Sequence, residues 1–285
     1  MKPPVRIISD LHLGHRVSRI TRVESLRPLL EGAGTVIFNG DTWQELAKDL
    51  KVRSQGMLQE LQALCREVRC EPVFLRGNHD PGWPGPGYLE LEGGKVVVTH
   101  GDGLLYDGSP WKREILKAGE LIDAIWKNHP AAETDVRERL EVSRKIAETL
   151  PSLTYPTGRK IWQRAWDAVM PPQRGIEMVK AWWTQEYAGE RFCECYFPQA
   201  EFLIIGHFHW GGSWQRGNLR VINTGSFLNP GSAYWVEISD GWLSRGLVDE
   251  RDGICRKGRV LGRWSCAGTG KMVHEDGIEP PTNPV

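Results

Sequence analysis

The chain has 285 residues, 40% hydrophobic and 25% charged, and its 36 basic and 36 acidic side chains cancel to a formal net charge of zero. That is enough apolar material to bury a full core in one domain, or in one domain with an insertion. The charge balance excludes a global basic field that would recruit nucleic acid or an anionic membrane.

No apolar run approaches the roughly eighteen residues of a bilayer span, and Met1-Lys2-Pro3-Pro4 leads into the first strand with no apolar leader, so a cytoplasmic protein is expected. Cys65, Cys70, Cys193, Cys195, Cys255 and Cys266 match no zinc-finger spacing. Reduced thiols are the simpler account, and Cys193-Glu194-Cys195 is a weak metal hint only.

In chain order, Val5-Arg6-Ile7-Ile8 reads as a strand and is followed at once by Ser9-Asp10-Leu11-His12. Ile20, Val23, Leu26, Leu29 and Leu30 then predict a helix over Ser18–Leu30 that stops at Glu31-Gly32-Ala33-Gly34. A second strand, Thr35-Val36-Ile37-Phe38, ends in Asn39-Gly40-Asp41. A longer helix through Met57, Leu58, Leu61, Leu64 and Val68 leads to Pro72-Val73-Phe74-Leu75 and to Gly77-Asn78-His79-Asp80. His15, close behind the first polar run, is a candidate for substrate contact.

Pro81 to Gly87 is too rich in proline and glycine for a helix. Tyr88–Glu92, Gly93-Gly94 and Lys95–Thr99 predict a hairpin that returns Thr99-His100-Gly101-Asp102 to the same place.

From about 105 to 195 the character changes. Trp111 to Trp126, Val136 to Leu150, Ile161 to Val169 and Ile176 to Tyr187 carry apolar side chains at helical spacing, with breaks at Pro130, Pro151, Pro156 and Pro171-Pro172. Three or four helices packed as a cap are expected. The cap is rich in tryptophan: Trp111, Trp126, Trp162, Trp166, Trp182 and Trp183. Most would close the cap's own core, but adjacent pairs such as Trp182-Trp183 cannot both face it, which leaves apolar surface for a ligand or a membrane. Arg159 and its basic neighbours offer phosphate partners, nearly balanced by nearby acids.

Phe202-Leu203-Ile204-Ile205 delivers Gly206-His207-Phe208-His209. Short segments at Gly212–Gln215, Leu219–Asn223, Ala233–Ile238 and Leu243–Val248 then predict an antiparallel second sheet. From Gly268 onward the composition reads as a disordered tail, and His274 within it is no ligand candidate.

Five polar runs thus close five strands, where open α/β sheets gather their sites. Each alone is ordinary turn chemistry. Together, with a carboxylate, carboxamide or imidazole in every one, they point to a single metal centre.

The order Asp-x-His, Gly-Asp, Gly-Asn-His-Asp, His and Gly-His-x-His resembles the calcineurin-like metallophosphoesterase superfamily and spans residues 10 to 209. The resemblance implies an α/β (α+β) fold, a four-layer α-β-β-α sandwich with the helical cap as an insertion. The core would be 1–104 and 196–250, the cap 105–195, and 251–285 a carboxyl-terminal extension.

It further implies two divalent cations, one held by Asp10, His12, Asp41 and His209, the other by Asp41, Asn78, His100 and His207, with Asp41 bridging. Such a pair, roughly 3.5–4 Å apart, shares a hydroxide, lowers its pKa and steadies both oxygens of an in-line displacement at phosphorus. Mixed imidazole and oxygen ligands suit manganese first, with iron or zinc as alternatives. His79, beside the ligand Asn78, is placed to protonate or stabilise the leaving oxygen, with Asp80 to orient it.

Within the superfamily, Ser-Asp-Leu-His-Leu-Gly and the helical insertion are similar to the UDP-2,3-diacylglucosamine pyrophosphohydrolases of lipid A synthesis, whose cap holds acyl chains. On that reading the substrate is a lipid nucleotide, bound by His15, Arg159, Trp162, Trp166, Trp182 and Asn223, with peripheral contact at the inner face of the membrane. His79 stands where that branch commonly has arginine. This leaves open other phosphorylated small molecules, the superfamily's phosphodiesterases and nucleases, and its phosphoprotein phosphatases. A nuclease would need a basic groove, and a non-catalytic binding module would be expected to have lost ligands; here none is lost.

Overall fold

The computed structural model describes residues 1–110, 112, 114–149 and 172–266. Its first sheet grows from three parallel strands, β1 (Val5–Ile8), β2 (Thr35–Asn39) and β3 (Glu71–Leu75). The short helix α1 (Arg27–Leu30) and the longer α2 (Lys51–Glu67) serve as crossovers. β1 and β2 are buried at every position, as expected of strands covered on both faces.

Side chains alternate along them. Ile8, Val36 and Phe38 pack with Leu26, Leu30, Leu61 and Leu64 on the helix side, while Val5, Ile7 and Ile37 face the second sheet. The hairpin strands β4 (Tyr88–Leu91) and β5 (Val96–Thr99) open that second sheet, which continues through β6 (Phe202–Ile205), β8 (Leu219–Asn223) and β7 (Gly212–Arg216) in the order β4-β5-β6-β8-β7. Val96, Val98, Phe202, Ile204 and Ile222 meet Ile7, Ile37 and Leu75 between the sheets. Each such side chain contributes about 1.5–3 kcal/mol by leaving water.

A helix from the insertion, α5 (Pro172–Tyr196), covers the far side of the second sheet: Ala181, Ala188 and Phe192 pack on Val97, Leu203 and Val221. The layers therefore run helix, sheet, sheet, helix. Among the described residues the insertion's other α-helices are α3 (Gly119–Lys127) and α4 (Val136–Thr149), with a small core of Ile115, Ile122, Ala132, Val142 and Ile146.

Four expectations change. The helix expected over Ser18–Leu30 shrinks to one 3-10 turn (Val23–Leu26) and α1, because Ser18 bridges Leu228 and the Arg19 N–H donates to Phe227 O at 2.9 Å. The late strands do not form one antiparallel second sheet. β8 runs parallel to β6, whereas β9 (Tyr234–Ser239) and β10 (Trp242–Arg251) join the first sheet through β9 on β1.

The boundary expected at 250 also falls inside that sheet, since β11 (Ile254–Ser265) is its edge strand, antiparallel to β10. The boundary at 195 likewise separates α5 from the sheet it packs on. The third expected cap helix and the tail expected from Gly268 lie outside the described residues.

Candidate metal centre

The carboxyl ends of β1, β2, β3, β5 and β6 lead into loops that bring the expected ligands together. One nitrogen or oxygen from each of Asp10, His12, Asp41 and His209 lies within 4.8 Å of the others. Individual contacts are His209 Nε2 to Asp10 Oδ1 at 3.1 Å, His12 Nε2 to Asp41 Oδ2 at 3.6 Å, and His12 Nε2 to His209 Nε2 at 3.2 Å.

The backbone is bent to do this. Asp10, His12, Asp41, His207 and His209 all have positive φ, between 46° and 66°. That region costs a non-glycine residue of order 1–3 kcal/mol, and such cost gathers where function requires it. Motif glycines make the room: a Cβ on Gly77 would sit 2.3 Å from Asp41 Oδ1, and one on Gly206 would sit 2.2 Å from Asp10 Oδ2.

The other expected ligands flank Asp41. His100 Nε2 is 3.4 Å from Asp41 Oδ1 and buried without a hydrogen-bond partner among the described residues, while its Nδ1–H donates to Asn39 O at 2.9 Å. That bond fixes the ring and directs Nε2 toward the centre. The His207 and His100 ring centroids are 5.1 Å apart, and His207 Nε2–H donates to Gly108 O at 2.8 Å, so its lone pair sits on Nδ1. Asn78 is buried.

Electrostatics agree with a cation site. Burial alone would push the Asp41 carboxyl up, but His100, His79 and His12 hold it well below the usual carboxylate range. Burial would lower His100, yet Asp41, Asp10 and Asp102 outweigh it and raise the ring well above its ordinary value. These carboxylates therefore favour a positive charge at this point. His12 and His207 are pushed well below 6.5, chiefly by burial, and so are neutral, the form that coordinates. The donor set therefore fits two divalent cations.

Around the centre the expectations divide. The His79 N–H donates to Asp41 Oδ1 at 2.8 Å, and its ring, held to a pKa of about 3 chiefly by burial, turns Nε2 to within 3.9 Å of Asp41 Oδ2. Asp80 does not orient that ring. Its carboxylate accepts backbone N–H groups from Asp41 (3.0 Å), Thr42 (2.7 Å), Trp43 (3.2 Å) and Gly77 (2.8 Å), tying two ligand loops together. Burial, then the neighbouring Asp41, pushes its carboxyl up to about 7.

Gln44, not singled out in the sequence, holds His79 Nδ1 at 3.1 Å and His12 Nδ1 at 2.7 Å. Lys112 was missed too. Its charge is felt at Asp41 and His79, and it lines a small cavity with Asn78 and Ser109.

His15 lies at the rim, its ring centroid 6.2 Å from that of His12, and burial pushes it to about 4. Asn223 is not on the pocket surface. It is fully buried, its Nδ2 donating to Gln185 Oε1 at 2.7 Å and to Gly206 O at 2.9 Å, and its Oδ1 accepting the Gly225 N–H at 2.8 Å.

Trp182 is likewise committed to the ligand loop, with Nε1–H on Phe208 O at 2.7 Å and its ring stacked on Trp210 at 5.1 Å. Arg159, Trp162 and Trp166 lie outside the described residues. Because Asn223 ties Gly206, at the start of the loop that carries His207 and His209, to Gln185 of α5, Asn223→Leu should cost about 1–3 kcal/mol. It should also weaken metal retention 10–100-fold. Thermal unfolding and chelator competition check the two effects.

Two facing sheets with a histidine–carboxylate centre at their strand ends define a metallohydrolase architecture. The chain belongs to the calcineurin-like phosphoesterase family, whose model matches residues 3–211. No curated protein matches it.

Similar solved structures include a dimetal phosphatase from Danio rerio, 13% identical, covering 86% of this chain and 96% of that one, with a TM-score of 0.43. A zinc complex of Vps29 from Entamoeba histolytica is 19% identical over 90% and 97%, with a TM-score of 0.40. A predicted phosphoesterase from Streptococcus pneumoniae is 16% identical over 89% and 95%, with a TM-score of 0.35.

Proposed function

We propose that the chain is a two-metal hydrolase of a phosphoester or phosphoanhydride bond, acting on a lipid nucleotide of the UDP-2,3-diacylglucosamine type. The clustering of Asp10, His12, Asp41 and His209, with His100 against Asp41, is the observation that carries the hydrolase reading. Two bound divalent cations, manganese before iron or zinc, supply the activated water and the charge compensation for in-line displacement at phosphorus.

The chain's own residues do the rest. Asp10, His12, Asp41 and His209 would hold one cation, and Asp41, Asn78, His100 and His207 the other. His79 Nε2 faces the centre and is placed to act on the departing oxygen. Lys112 adds a positive charge on the Asn78 side, suited to a non-bridging phosphoryl oxygen.

The lipid part of the reading is supported by α5. Ile176, Val179, Trp183 and Tyr187 form one exposed stripe, with Trp183 76% exposed, while its neighbour Trp182 turns to the ligand loop. A stripe of this kind marks an apolar ligand or a membrane surface. Among the described residues no helix is long and apolar enough to cross a membrane, so contact at the inner face would be peripheral. His79, in place of arginine, favours a second reading, a small-molecule phosphodiesterase.

A hydrolysis screen of phosphomonoesters, phosphodiesters and acylated nucleotide diphosphate-sugars, with added manganese, separates these. If acyl chains are bound, each added methylene contributes about 0.8 kcal/mol, so KM should fall roughly fourfold per methylene over the bound length. A flat dependence on chain length removes the lipid assignment and leaves the phosphodiesterase.

A further inference from the structure

Gln44 lies directly behind the metal centre with its side chain fully buried. Its backbone N–H donates to Ser54 Oγ at 2.8 Å, and that hydroxyl donates to Leu13 O at 2.6 Å, so the residue is anchored from below. The carboxamide spans two rings, with Nε2 on His12 Nδ1 and Oε1 on His79 Nδ1. The second nitrogen of each ring faces the centre, His12 Nε2 toward Asp41 and His209, His79 Nε2 toward Asp41.

In this arrangement the Gln44 N–H₂ donates to His12 Nδ1, so His12 carries its proton on Nε2, facing the Asp10 and Asp41 carboxylates. The Gln44 oxygen accepts from His79 Nδ1–H, so His79 presents a lone pair to the centre. Coordination of a cation by His12 Nε2 needs that nitrogen's lone pair, which relocates the ring's proton to Nδ1. An Nδ1–H facing the Gln44 N–H₂ would bury two donors against each other, at a cost on the order of 1–3 kcal/mol.

The terminal torsion of a glutamine is roughly two-fold, so a half-turn relieves the clash. The oxygen then accepts from His12 Nδ1–H, and the N–H₂ meets His79 Nδ1, which must now be an acceptor. The His79 proton consequently sits on Nε2, facing the centre. Each ring keeps one proton throughout, and both protons relocate by exchange with water.

We propose that Gln44 is a positioning residue that couples cation binding at Asp10, His12, Asp41 and His209 to the tautomer of His79, turning Nε2 from an acceptor into a donor toward the departing oxygen. This deepens the metallohydrolase reading and rests on it for the oxygen's identity, but the coupling is measurable without a substrate. A side chain with one acceptor end and one donor end is required. Glutamate has no donor, so it would accept from both rings and keep a proton on His79 Nδ1 whatever the metal content.

The test is a zinc titration of the full chain carrying ¹⁵N-labelled histidine, with ring tautomers read from long-range proton–nitrogen correlations. In the wild type the His79 proton should move from Nδ1 to Nε2 as zinc fills the site. In Gln44→Glu, zinc content should be retained and Nδ1 should stay protonated, with kcat on a chromogenic phosphodiester 10–100-fold lower at similar KM.

A zinc-loaded wild type with His79 still protonated on Nδ1 overturns the proposal. So does an Nε2–H tautomer common to the wild type and Gln44→Glu. The wild-type titration decides the matter alone if the variant does not fold. A tautomer switch in a chain that hydrolyses no phosphoester supports the coupling and instead removes the functional reading.

Discussion

Asp41→Ala should abolish hydrolysis and lower bound metal together. The carboxylate sits 3.6 Å from His12 Nε2 on one side and 3.4 Å from His100 Nε2 on the other, which is why it is proposed as the residue shared by both cations. Its loss also releases the His79 N–H that its Oδ1 accepts. The fold should survive, because the strand beneath it is held by the core between the sheets rather than by the loop.

Elemental analysis after dialysis should find fewer than two cations per chain, and the screen should find no turnover above the uncatalysed rate. Full activity of the wild type in excess chelator would contradict the whole scheme. Asp41→Asn is the gentler comparison: it keeps the shape and one oxygen, so a partial return of metal without a return of rate would separate holding the cations from activating water.

The candidate ligands were legible in the sequence for a physical reason. A buried parallel strand is a short continuous apolar run, and the residues that follow it must turn; carboxylates and imidazoles recurring there need an explanation beyond turn chemistry. The same logic placed the hairpin of β4 and β5 and the helix α2.

It failed where tertiary contacts decide. Gln44 carries no periodicity and belongs to no motif, and only the folding of Gly77–Asp80 against Asp41–Gln44 sets His79 on its carboxamide. Asn223, a polar residue in a loop near the last ligands, looked like a substrate contact, but the helix α5 covers it. Asp80 follows His79 in sequence, yet the turn points its carboxylate back at four amides.

The edge strand β11, partly exposed and mixing Arg256, Lys257 and Arg259 with glycines, lacks the apolar run that marked the inner strands. Lys112 gave no signal, being one lysine in an insertion of mixed charge.

His79→Ala should lower kcat by roughly 10²–10⁴ while the metal content stays at the wild-type value. The argument is geometric. His79 is not among the four residues whose donor atoms cluster around one point, and its Nε2 stands 3.9 Å from Asp41 Oδ2, reaching the centre from the side of β3. Burial keeps the ring neutral, with a pKa of about 3, so near neutral pH it acts as a hydrogen-bonding imidazole and not as a standing cation.

A neutral donor at Nε2 helps most when the departing oxygen is strongly basic. The deficit in His79→Ala should therefore be largest for an alkyl phosphodiester and shrink for aryl esters whose leaving groups depart unaided. Running the variant and the wild type on a graded series of aryl and alkyl esters, with metal content measured on the same samples, reads this directly. A uniform deficit across the series would mean that His79 orients the phosphoryl group instead of assisting departure, and loss of metal would make it a ligand.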